Sequence, residues 1–253
     1  MITNRTFLGK ALRLPLKLIP SNSVLPILSG KLRGKRWIKG SGVAGFWLGC
    51  YESDKQKRFT QAVKPNMIVY DIGANVGFYT LLAAELTKPD GHVFSFEPVP
   101  RNVGFLHRHL ILNHVENATV FSAAVGRSRG ETTFHVPAND FFTGKISPEG
   151  NLCVQVLKLD DLCFHKEIFP PNLIKIDVEG AEYDVLCGAE ETLRAFMPTI
   201  FLATHSPEVH RRCCAFLVQL GYKLHSLTDK PLSETDEVLA VPSKERSALD
   251  FSI

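Results

Sequence analysis

Met67-Ile-Val-Tyr-Asp71-Ile-Gly73-Ala-Asn75-Val-Gly77-Phe-Tyr-Thr80 passes from a short apolar run through a glycine turn into residues with helical spacing. The β-branched residues favour a pleated strand over 67–71, and the glycines free the backbone for a tight exit. The stretch therefore reads as strand, loop and then a helix over about 76–87. The theme recurs along the chain. Residues 93–97, 118–122, 173–177 and 199–204 read as strands, and 100–113, 181–195 and 207–220 as helices. Strands alternating with helices of this length need right-handed crossovers between parallel neighbours, which gives an α/β fold built on a doubly wound sheet.

Two stretches depart from that rhythm. Glu131–Val136 and Leu152–Leu157 read as a β-hairpin inserted between the third and fourth strands, and Tyr222–Ser226 with Glu237–Val241 as an antiparallel pair closing one edge. Residues 1–64 stand apart as a basic N-terminal extension to a domain over 65–253. Trp37, Phe46, Trp47 and Tyr51 carry enough apolar surface to fold part of that extension onto the domain.

The chain has 253 residues, 45% hydrophobic and 22% charged, which excludes disordered, collagenous and disulfide-scaffold classes. Its longest uncharged runs reach 13 residues, short of the roughly 20 that cross a bilayer. Lys10 and Arg13 interrupt the early apolar residues where a secretory signal needs an unbroken core, so a cytoplasmic location is expected. Residues 1–40 hold nine Lys/Arg and no acid, leaving 20 basic and 26 acidic residues in the remainder. That asymmetry suits contact with an anionic surface, for example the inner face of a membrane. The alternative is a solvated arm, since Pro15, Pro20 and Pro26 break any long amphipathic helix. The six cysteines form no C-x-x-C pair and read as reduced thiols.

In an open parallel sheet, ligands bind beyond the carboxyl ends of the strands at the topological switch point. The loop Asp71, Gly73, Asn75, Gly77 belongs there, and the question is which cofactor it suits. A dinucleotide site needs G-x-G-x-x-G for its pyrophosphate, and Asn75 occupies the second glycine position. S-Adenosylmethionine carries a sulfonium and an amino-acid moiety instead of phosphate, and Asp71 at a strand end suits such a cation. Glu97, which ends the next strand, can accept both hydroxyls of a ribose in either class; the plain alternative is an exposed acid beside Pro98. Asp177 and Glu179 end the fourth strand at the same sheet edge. There a carboxylate can orient an acceptor and take its proton, two acids can hold a Mg²⁺, or Glu179 and Glu182 can simply favour the first turn of the next helix. His205 follows the fifth strand at that edge as a candidate general base. Lys175, between Ile174 and Ile176, is expected to be buried and paired with a carboxylate. The remaining histidines fall mostly on helical or loop segments and are expected at the surface.

Taken together, Trp47-Leu-Gly49-Cys-Tyr51-Glu52, Asp71 to Thr80, Phe96-Glu-Pro98, Asn113, Ala124-Val-Gly126, Leu159-Asp-Asp161 and Lys175-Ile-Asp-Val-Glu-Gly-Ala-Glu182 resemble the FkbM family of methyltransferases over roughly residues 45–226. The resemblance implies a class I methyltransferase (Rossmann-like) fold with a mostly parallel seven-stranded sheet and helices on both faces. It further implies S-adenosyl-L-methionine as methyl donor and O-methylation of a hydroxyl on a sugar, glycan or natural product. Asp71, Gly73, Asn75, Gly77 and Glu97 would then bind the cofactor, and Asp177, Glu179 and His205 would face the reaction, with no residue assigned to a metal. Many members have an acid two positions before the histidine, where this chain has Ala203. The rival readings are an N-methyltransferase, which lacks here the Asp/Asn-Pro-Pro-Tyr/Phe segment after the fourth strand, a nicotinamide-dependent oxidoreductase, and a non-catalytic cofactor-binding protein.

Overall fold

The computed structural model describes residues 19–135, 145–146 and 149–243. It begins with an antiparallel ribbon, β1 (Val24–Pro26) and β2 (Arg36–Ile38), followed by α1 (Ala44–Leu48) and α2 (Ser53–Ala62). The first half of the main sheet follows as β3 (Ile68–Ile72), α3 (Phe78–Leu86), β4 (His92–Phe96), α4 (Pro100–Leu112) and β5 (Ala118–Phe121). Next come β6 (Ala124–Val125), β7 (Gly130–His135), β8 (Lys145–Ile146), β9 (Leu152–Leu157) and α5 (Leu159–Phe164). The second half comprises β10 (Leu173–Ile176), α6 (Glu182–Cys187), α7 (Glu190–Phe196), β11 (Thr199–Ala203), α8 (Pro207–Gln219), β12 (Tyr222–Ser226) and β13 (Glu237–Pro242).

The main sheet has the order β12-β13-β11-β10-β3-β4-β5, parallel except for β13, which runs antiparallel to both neighbours. From β3 the chain winds outward through β4 and β5, then returns to β10 on the other side. The switch point therefore lies between β3 and β10, whose connections turn to opposite faces of the sheet and leave a crevice outside the carboxyl ends. Alternation along each strand divides the core between the two faces. Tyr70, Ile72, Ile174, Ile176, Ile200 and Leu202 pack on one side, and Val69, Leu173 and Phe201 on the other.

The expected edge pair forms, but β13 lies between β12 and β11, so β12 alone is the edge strand. The inserted hairpin is present as β7 and β9, with Gly130 opposite Val156 and Phe134 opposite Leu152; Val136 and its loop fall outside the described residues. The hairpin belongs to a four-stranded sheet, β6-β9-β7-β8, whose two-residue strands are too short to show a period. The single helix expected over 181–195 is instead two, α6 and α7. Gly188 is pressed against the carbonyl of Gly126, where a Cβ would come within 2.0 Å. The buried carboxylate of Asp160 then accepts from the backbone N–H of Thr192 at 2.8 Å and of Glu191 at 3.3 Å, capping a fresh helix start.

Residues 19–64 pack on the sheet face that carries Val69 and Phe201. Trp37, Phe46, Trp47 and Phe59 are buried against α3, each contributing roughly 2–3 kcal/mol of apolar burial. Trp37 stacks on His109 of α4 at 3.7 Å between ring centroids. His109 is not at the surface as expected but fully buried. Its Nδ1 lies 2.8 Å from the carbonyl of Val76 and its Nε2 accepts the N–H of Ile38 at 3.1 Å, so one neutral ring joins β2 to the glycine loop. His210 is likewise buried, between Thr204 and the carbonyl of Leu232.

Burial pushes the His109 imidazole down to about 4. The unfolded chain takes up that proton near pH 6.5 while the folded chain refuses it, so stability is complete above pH 6.5 and falls as pH drops toward 4. His109→Gln can keep both hydrogen bonds without titrating. Denaturant unfolding should show wild type losing about 2 kcal/mol more than this variant between pH 7 and 5; parallel profiles would refute the clamp.

Candidate active site

The crevice at the switch point is a cleft of about 260 Å³ lined by residues of the glycine loop, the ends of β4, β10 and β11, and the N-terminal helices. Its floor is a polar row set by register. Ser95, Asp71 and Lys175 are aligned neighbours across β4, β3 and β10, and all project on the face that also holds Phe201. Asp71 is 1% exposed and outside the cleft wall. Its Oδ2 accepts from Thr80 Oγ1 at 2.7 Å, Thr80 Oγ1 also lies 3.0 Å from Ser95 Oγ, and Lys175 Nζ sits 3.3 Å from Asp71 Oδ1. Lys175 is the buried, paired lysine expected. Burial disfavours its charge, but Asp71 and Asp177 outweigh burial and raise its pKa.

Above this row the loop is built for close approach. Gly73 has φ +76°, and a Cβ there would come within 1.8 Å of the carbonyl oxygen of Asp177, so only glycine lets β3 and β10 exit side by side. Asn75 is left-handed at φ 50°, held by its own side-chain oxygen accepting the N–H of Val76 at 2.7 Å. Gly77, at φ +90°, starts α3 beneath Leu106. Glu97 is not an exposed acid but is 5% exposed. It accepts from the N–H of Asn75 at 2.8 Å, the N–H of Val99 at 3.0 Å and Asn102 Nδ2 at 3.3 Å. Burial raises its pKa, opposed by those three donors. Gly73, Asn75 and Glu97 thus meet on one wall with Phe96, Val99, Ala123 and Val125.

The opposite wall brings Asp177, Glu179 and His205 together. His205 Nε2 is 3.6 Å from Asp177 Oδ1 and 3.5 Å from Glu179 Oε2. Its Nδ1 meets Glu182 Oε1 at 2.7 Å. Glu182, expected from the sequence only as a favourable charge in the first turn of the next helix, is the partner of His205. In the first turn of α6 it is fully buried and also accepts the N–H of Gly180 at 2.8 Å, so it is both a helix-start acid and the partner of His205. It supplies the acid–histidine pair although residue 203 is alanine. The Glu182 bond raises the His205 pKa; burial opposes it, and Glu179 and Asp177 reinforce it. Asp177 goes the other way. Burial pushes its carboxyl up, but Lys175, Lys55 and His205 together pull it below the usual range. The donor atoms of Asp177, Glu179 and His205 lie within 4.8 Å of one another, and Asp177 Oδ2 also has Lys175 Nζ at 3.7 Å and Lys55 Nζ at 3.8 Å.

A seven-stranded sheet of this order, with its cleft at the carboxyl ends and a glycine loop after the first strand, defines a class I methyltransferase fold. Methyltransferase FkbM from Methylobacillus flagellatus has a similar fold, with a TM-score of 0.52 and 19% identity, covering 78% of this chain and 52% of that one. Residues 71–224 match the methyltransferase FkbM domain, and the chain belongs to that family. Hexuronic acid methyltransferase AglP of Haloferax volcanii is 29% identical over 149 residues, 57% of this chain and 59% of that protein. The 2-O-methyltransferase NoeI of Sinorhizobium fredii is 28% identical over 149 residues, 51% and 60% respectively. The chain thus spans about three fifths of the length of these relatives.

Because the Glu182 bond is the largest influence raising the His205 pKa, Glu182→Gln should lower the midpoint of His205 in an imidazole NMR titration. An unchanged midpoint would show that the dyad does not form in solution.

Proposed function

We propose that this chain is an S-adenosyl-L-methionine-dependent O-methyltransferase acting on a hydroxyl of a sugar, glycan or natural product. The observation that carries the reading is the convergence of a ribose-type acceptor wall and an acid–histidine wall on one cleft. The family membership and the names of the relatives support it. The residues present fit the cofactor. Glu97 offers carboxylate lone pairs to hydroxyls, Phe96, Val99, Ala123 and Val125 offer an apolar face to a purine, and Gly73 to Val76 leave room for backbone approach, while Gly77 lies under Leu106 and off the cleft wall. On the β10 and β11 side, Glu52, Asp177, Glu179, Asp236 and Glu237 provide the negative field that a sulfonium prefers. When bound, the cofactor supplies an electrophilic methyl group that an acceptor oxygen takes by in-line displacement.

Asp71 acts from below the cleft, holding Lys175 and Thr80 beneath the loop rather than touching the ligand. The remaining task is to align an acceptor hydroxyl and remove its proton. Asp177, ionised and weakly basic, orients the acceptor by accepting a hydrogen bond from a polar group beside the reacting hydroxyl. Nε2 of His205 takes the proton, because Glu182 on Nδ1 directs that tautomer and stabilises the imidazolium. Transfer should therefore rise with pH along an acid limb set by a histidine above its ordinary value. The nine Lys/Arg of residues 1–40 suit an acceptor presented at an anionic surface. Salt-sensitive sedimentation with anionic vesicles is then expected.

Calorimetric titration tests the cofactor assignment. S-Adenosylhomocysteine should bind in the micromolar range, and Glu97→Ala should weaken it at least about tenfold, the worth of one or two charge-assisted hydrogen bonds. Binding of NADH in its place would overturn the proposal. Binding of S-adenosylhomocysteine without labelled methyl transfer to any of a panel of glycans and polyols would favour a non-catalytic role.

A further inference from the structure

The residues that close the cleft around Asp177 do not all come from the span that matches the family. Lys55 of α2 and Glu237 of β13 lie outside residues 71–224, as do Tyr51 and Glu52 just before α2. Lys55 is 6% exposed. Its Nζ lies 2.7 Å from Glu237 Oε1, 3.5 Å from Glu52 Oε2 and 3.8 Å from Asp177 Oδ2. Glu52 accepts from Tyr79 Oη at 2.9 Å and sits in the left-handed region at φ 46°, a conformation unusual for glutamate. Gln56 donates to the carbonyl of Tyr51, so the turn that carries Glu52 is tied to the same helix as Lys55.

We infer that Lys55 is a positioning residue that keeps Asp177 a carboxylate, so that docking of the N-terminal segment completes the reacting edge of the site. This role in transfer rests on the reading above, in which Asp177 orients the acceptor. The charge balance at this point carries the inference. Asp177 is faced by Glu52 and Lys55 at the start of α2, Tyr51 before them, Lys175 of β10, Glu179, His205 after β11 and Glu237 of β13. Lys175 is shared with Asp71 and the carbonyl of Gly73, so it cannot serve Asp177 alone. Removing Lys55 leaves Asp177, Glu52 and Glu237 converging in a partly buried space, and like charges so placed favour proton uptake. Lys55 is thus the group that allows three acids to share one wall.

The test follows the ¹³C signal of the Asp177 carboxyl, assigned with Asp177→Asn, as pH is lowered toward the limit of the folded state. Lys55→Met and Lys55→Gln should each begin to protonate Asp177 at least about one pH unit above wild type. Lys55→Arg should restore the wild-type course. Lys57→Met, on the exposed side of the same helix, should leave it unmoved. Affinity for S-adenosylhomocysteine should stay within about threefold of wild type in all four variants, separating a charge effect from collapse of the cleft. The carboxyl titration needs no acceptor, so absence of methyl transfer would count against the proposed activity alone. Asp177 courses in Lys55→Met and Lys55→Gln that superimpose on wild type would overturn the assignment, as would loss of cofactor affinity with Asp177 unmoved.

Discussion

The buried pair of Asp71 and Lys175 is the constraint around which the site is arranged. Both sit at the carboxyl ends of adjacent central strands, aligned by register and shut away from solvent. Neither charge is tolerable there alone. Removing one partner of such a pair leaves an uncompensated charge, at a cost of about 3–5 kcal/mol. The pair therefore holds β3 to β10 just before their connections turn to opposite faces of the sheet, and the cleft lies at that turn. Thr80 and Ser95 extend the row to α3 and β4, so the loop above it rests on a hydrogen-bonded base rather than on apolar packing alone.

That base explains which parts of the architecture were legible in the amino-acid order and which were not. The parallel strands, the glycine loop and the inserted hairpin all leave local signatures, because alternation, β-branching and turn residues are properties of neighbours in sequence. Asp71 was read as a ligand group because a strand-end acid beside a glycine loop looks available. Its burial depends on Lys175, more than a hundred residues away, and only the register of β3 against β10 brings the two together. The break between α6 and α7 was hidden for the same reason. Gly188 is an unremarkable helix residue until the carbonyl of Gly126 lies against it.

Histidines show the limit most clearly. His109 lies on an amphipathic helix, where a polar residue is ordinarily solvent-facing. It is buried because Trp37 of the N-terminal ribbon covers it and two backbone groups satisfy its ring nitrogens. Asn113 adds to the seam by accepting the N–H of Arg36 at 2.7 Å and donating to its carbonyl at 2.8 Å. Lys35 reaches Glu85 of α3. The stretch of the N-terminal extension that is described is therefore bound along its length to α3 and α4, the two helices that flank the glycine loop. Through Val76 the same clamp touches the loop itself, which gives the segment a route to the Glu97 wall as well as to the acid–histidine wall.

Three carboxylates, one histidine and two lysines in so small a space could titrate in many ways, and the surroundings separate them. Asp177 has cations on three sides, which stabilise its charge and weaken it as a base. His205 has acids on both ring nitrogens, which stabilise its protonated form and strengthen it as a base. The division follows from position, since β10 delivers Asp177 beside Lys175 while β11 delivers His205 beside the start of α6. An acceptor placed between them would meet a carboxylate that holds one of its polar groups and a base that can keep the proton of the neighbouring hydroxyl. The same field that stabilises an imidazolium also favours a nearby sulfonium, so under the proposed function the acidic wall would serve both the cofactor and the proton it helps to remove.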